Sequence, residues 1–149
     1  MRRLFRLLPL FLFLACLLLI LTGSPILLKP LMNDLDFPIG TLISWVGIAM
    51  LPLSIIMGIR LIRKPTSLAY RFYKRVYIFF FLLSAAWGLI SYYLVGNWAF
   101  TYSDTGVFRG SEKAFQLIVT FTFTLISLNL LLLLIFGIHH FIISKRHKK

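Results

Sequence analysis

Four apolar runs, each about the length of a bilayer crossing, leave this chain few ways to fold. They cover roughly residues 7–28, 38–62, 72–95 and 112–143. A helix rises about 1.5 Å per residue and the hydrocarbon core is about 30 Å thick, so some twenty apolar residues suffice to cross it. A soluble domain of 149 residues, 60% hydrophobic and only 13% charged, could not hide so much apolar surface from water. The expected fold class is all-α: a polytopic integral membrane protein whose four transmembrane helices form a single domain over residues 1–149. No polar, Pro-rich or Gly/Ser-rich linker separates the runs.

Charge then assigns the sides. Arg60, Arg63, Lys64, Arg71, Lys74 and Arg75 crowd the short segment between the second and third runs, with no acid among them. Arg2, Arg3 and Arg6 precede the first run, and Lys145, Arg146, Lys148 and Lys149 close the chain. These account for all the basic residues except Lys29, Arg109 and Lys113, which share the other two loops with Asp34, Asp36, Asp104 and Glu112. Basic loops stay in the cytoplasm, so both termini are expected inside (N-in, C-in), in a membrane of the bacterial inner, or plasma, type. The net charge of +12 is thereby explained without nucleic acid, and no direct nucleic-acid binding is expected. The expected partners of the inner face are anionic lipid headgroups and a cytosolic protein.

The first 24 residues resemble a signal peptide, with a basic start, an apolar stretch and then Thr22-Gly23-Ser24. Pro25 falls where cleavage would need to occur, and the apolar stretch is long for a signal, so a retained first transmembrane helix is expected. Asp36 ahead of Pro38 reads as the start of the second helix, and Ser111 as an N-cap for the fourth. Between them, the outer loop 96–111 alternates Trp98, Phe100 and Tyr102 with smaller residues before Asp104-Thr105-Gly106. A short hairpin at the bilayer surface and an irregular loop with an interfacial aromatic belt both fit that pattern.

Two helices carry stripes of small residues. At 100° per residue, Gly40, Ser44, Gly47, Ser54 and Gly58 fall within about 80° of one another. Ser84, Gly88 and Ser91 repeat the pattern on the third helix. Small residues let helix backbones approach closely, which favours association where no water drives burial. Packing of these faces on each other within one chain, and their use in a homo-oligomer, are the two readings.

The fourth helix is the most polar inside. Gln116, Thr120, Thr124 and Ser127 make one stripe; Thr122, Asn129 and His140 make another almost opposite. An amide near mid-membrane, as at Asn129, needs a partner, and interhelical contact and a water-filled pore both supply one. His139 and His140 point about 100° apart, unlike the i, i+4 pair that grips a metal. The lone Cys16 excludes an internal disulfide. No catalytic, cofactor-binding or metal-ligating residues are expected, since no ionisable group lies deep in a helix and no nucleophile or phosphate-loop motif occurs. The expected function is a non-enzymatic membrane anchor, sensor or scaffold that self-associates and recruits a cytosolic partner. A homo-oligomeric channel or small-solute transporter is the first alternative, and an enzyme acting at the outer loops the second.

Overall fold

The computed structural model describes residues 4–32, 35–95 and 112–146. It contains five helices among those residues: α1 (Leu4–Leu21), α2 (Ile39–Gly58), the single turn α3 (Arg60–Arg63), α4 (Leu68–Val95) and α5 (Glu112–Arg146). Three stretches are long and apolar enough to cross a membrane: Ile39–Gly58, Leu68–Leu94 and Glu112–Lys145. The chain is thus helical, and by length and composition these three helices suit a membrane. The apolar segment of α1, Phe5–Leu21, is shorter than the other three.

Local chemistry explains where each helix stops, and it corrects the expected bounds. The first run does not continue to residue 28. Gly23 takes φ +59, a left-handed backbone that suits glycine. Its N–H donates to Ile20 O at 3.2 Å while Ser24 N–H donates to Leu19 O at 3.4 Å, the Schellman pattern that ends a helix. A 3-10 turn, Pro25–Leu28, follows. Strands β1 (Pro30–Met32) and β2 (Leu35–Pro38) then pair antiparallel, Pro30 opposite Pro38 and Met32 opposite Leu35. Asp36 therefore lies in a strand and does not start α2. The hairpin considered for 96–111 and the N-cap at Ser111 lie outside the described residues.

The second run is likewise broken. Ile59 is extended, with φ −89 and ψ 113, which parts α2 from α3 where the expected helix ran on to residue 62. The third helix starts four residues ahead of residue 72. Ser67 caps it, accepting Tyr70 N–H on its hydroxyl at 3.4 Å and Arg71 N–H on its carbonyl at 3.1 Å.

In packing, α2 is the hub, with α1 against it on one side and α4 and α5 on another. Of α2's membrane-length window 56% is buried inside the protein, against 28% for α4 and 22% for α5. One apolar cluster centres on Leu51, Ile55, Tyr73, Tyr77 and Phe136; a second centres on Ile48, Trp87, Ile118 and Leu125.

Candidate functional site

Among the described residues, polar side chains concentrate in two places, the α4–α5 seam and the basic corner at α3. The seam arises because α4 turns one face inward: Tyr70, Tyr73, Tyr77, Ser84, Trp87, Gly88 and Ser91 are all buried. α5 answers with Ile118, Thr122, Leu125, Asn129 and Phe136, which share a face at helical spacing. Trp87 Nε1–H donates to Thr122 Oγ1 at 3.1 Å. Tyr77 O–H makes a long hydrogen bond, 3.5 Å, to the Asn129 carbonyl. Tyr70 Oη lies 3.1 Å from His140 Nδ1. These pairs run the two helices antiparallel.

Asn129 is 1% exposed, and its Nδ2 donates to Leu125 O at 2.8 Å, one turn back on its own helix. Among the described residues, its Oδ1 has no hydrogen-bond partner, nor do Ser84 Oγ and His139 Nδ1. At the end of the seam near the basic corner Tyr73 meets Phe136 edge-on, centroids 5.3 Å apart, and Phe136 stacks on His140 with ring planes 11° apart. His139 thus meets Tyr70 and Tyr73, and His140 meets Tyr70 and Phe136 while staying exposed.

The other α5 stripe points outward. Gln116, Thr120, Thr124 and Ser127 are exposed, although Thr124 Oγ1 donates back to Thr120 O at 2.8 Å. The two stripes of one helix therefore have different surroundings, protein for Thr122 and Asn129 and the open surface for the rest.

On α2, Gly40, Ser44, Gly47 and Ser54 are buried, while Gly58 is exposed with open space around it. A Cβ on Gly47 would stand 3.0 Å from Cys16 Cβ, so this part of the stripe receives α1. Gly88 on α4 receives α2 itself. The Trp45 ring lies where a Cβ would be, and Trp45 Nε1–H donates to Ala85 O at 2.9 Å. Ser54 and Ser91 hydroxyls bond back to Leu51 O and Gly88 O.

The basic corner divides its six cations by role. The Arg63 guanidinium donates to Met57 O at 2.9 Å, a carbonyl near the α2–α3 break. Lys74 Nζ donates to Arg63 O at 3.3 Å. These two staple the turn. Arg60, Lys64, Arg71 and Arg75 are exposed.

Sequence reasoning passed over Trp45, Trp87, Tyr70 and Tyr77, the polar-tipped aromatics that organise the packing. Their signal was available: Tyr70, Tyr73 and Tyr77 recur at i, i+3, i+7, and a buried indole or phenol needs an acceptor. No family model, curated protein or solved structure matches the chain.

Proposed function

We propose that this protein is a four-span, non-enzymatic subunit of a bacterial inner membrane, with both termini in the cytoplasm. It acts as an anchor, sensor or scaffold that self-associates through α5 and presents its basic corner to an anionic partner. The observation that carries this reading is the exposed polar stripe Gln116, Thr120, Thr124 and Ser127 on a helix only 22% buried. Lipid offers such side chains no hydrogen bonds beyond those that close within the helix, as Thr124's does, whereas a second copy of the same stripe offers more. Thr122 supports it from the other side, since its hydroxyl meets Trp87 within the protomer. As the fourth span, α1 is supported by its packing on α2, although its 18 residues reach only about 27 Å.

The same exposed stripe favours one second reading, a pore formed by several copies of α5 around a polar axis. A Thr120→Leu/Thr124→Leu double variant separates the two. Scaffold behaviour predicts a smaller assembly in detergent and no solute or ion flux from wild-type vesicles. A selective flux in the wild type, lost in the variant, would replace the scaffold with the channel.

A further inference from the structure

The exposed cations of the basic corner do not all face the same medium. At 100° per residue, Leu68, Arg71, Phe72, Arg75, Phe79 and Leu82 lie within about 100° on α4. All six are exposed, with Leu68 at 83% and Phe72, Phe79 and Leu82 near 60%. Phe79 and Leu82 lie deep enough in the span to face acyl chains, so Arg71 and Arg75 sit on the lipid-facing side of the same helix. They come one and two turns before Phe79, about 6 and 12 Å along the axis. The Leu68–Leu94 span is 27 residues, roughly 40 Å, about 10 Å more than a hydrocarbon core. Placed at the basic end, where cations seek the headgroups, that excess puts the first two turns of α4 at headgroup depth.

The corner is also fixed in shape. Arg63 and Lys74 tie its backbone, and Tyr70, on the opposite face of α4, is held against His140. Arg71 and Arg75 share none of these duties. Two guanidiniums one turn apart, flanked by exposed Leu68 and Phe72, match an anion whose tails run alongside the helix. A guanidinium also suits phosphate geometry better than an ammonium.

We propose that Arg71 and Arg75, with Leu68 and Phe72 beside them, bind the phosphate headgroup of an anionic phospholipid. This rests on the reading of the corner as the inner face, and it names the anionic partner. A soluble acidic protein would approach from the aqueous side, and Arg60 and Lys64 are the corner's exposed cations outside the α4 stripe.

The test compares two charge-matched variants of the purified full-length chain, Arg71→Gln/Arg75→Gln and Arg60→Gln/Lys64→Gln. The readout is the preference for phosphatidylglycerol over phosphatidylcholine, by displacement of a fluorescent anionic lipid in neutral detergent. The wild type should prefer phosphatidylglycerol. The Arg71/Arg75 variant should lose about thirtyfold of that preference, and the Arg60/Lys64 variant less than about threefold. Arg75→Gln alone serves if the double variant does not fold, with a loss of about fivefold. Equal losses in the two doubles would reduce the site to diffuse charge and overturn the proposal. So would no preference in the wild type, full displacement by millimolar inorganic phosphate, or an acidic cytosolic protein held by Arg71 and Arg75 in neutral lipid. Orientation is read separately. A cysteine at Ser67 that labels from outside intact cells overturns the inner-face reading, whatever lipid the detergent sample prefers.

Discussion

α2 and α5 carry the same kinds of small and polar side chain, yet α2 is surrounded and α5 is mostly bare. Their membrane-length windows are 56% and 22% buried. On α2 the small residues mark where neighbours come close, α1 at Gly47 and, through Trp45, α4 at Gly88. On α5 the polar residues split between two faces, and only the face holding Thr122 and Asn129 meets α4. The difference teaches that composition of a helix does not decide its burial in lipid. What decides it here is whether a neighbour offers a side chain of matching shape and hydrogen-bonding capacity.

The largest expected effect comes from filling the place that Trp45 occupies. Gly88→Leu must displace an indole that is hydrogen-bonded to Ala85 O, and overpacking of this kind costs about 3 kcal/mol. The variant should lose most of its folded yield. Gly58→Ala, at an exposed glycine with nothing near, should stay within about 0.5 kcal/mol of the wild type. Thermal unfolding in detergent checks both. Similar losses at the two glycines would remove α2's claim to be the hub.

A smaller effect sharpens the contrast between the two faces of α5. Thr122→Val keeps the side-chain shape but strands the buried Trp87 N–H, which should cost about 1 kcal/mol. Thr124→Val, two residues on and exposed, loses only a bond to its own helix and should change stability by less than about 0.5 kcal/mol. Parallel unfolding curves for the two variants decide the matter. Equal cost would mean that the exposed stripe is as much part of the protomer's fold as the buried one.

The helical class and the membrane-length runs were legible because apolar length alone determines them. The helix ends were less so, though for readable reasons. Thr22-Gly23-Ser24 is a glycine stop, and Ser67 caps α4. The break at Ile59 lies inside an apolar run and is accompanied by Arg63 folding back to Met57 O, a contact of six residues' separation that no periodicity shows. The two stripes of α5 were visible as stripes, but spacing tells which residues share a face and not which face turns inward. That choice was made by Trp87 and Tyr77 on another helix. Gly58 fell in the α2 stripe by angle and still lies exposed, because the chain leaves the helix there.

Crosslinking along α5 in native membranes tests the central claim most directly, that its buried polar stripe holds the protomer while its exposed stripe joins one copy to another. In a Cys16→Ala background, single substitutions Thr124→Cys and Thr122→Cys are oxidised and run without reductant. The account predicts a disulfide-linked dimer from Thr124→Cys and only monomer from Thr122→Cys. A dimer from Thr122→Cys, or monomer from Thr124→Cys and Thr120→Cys alike, would contradict it.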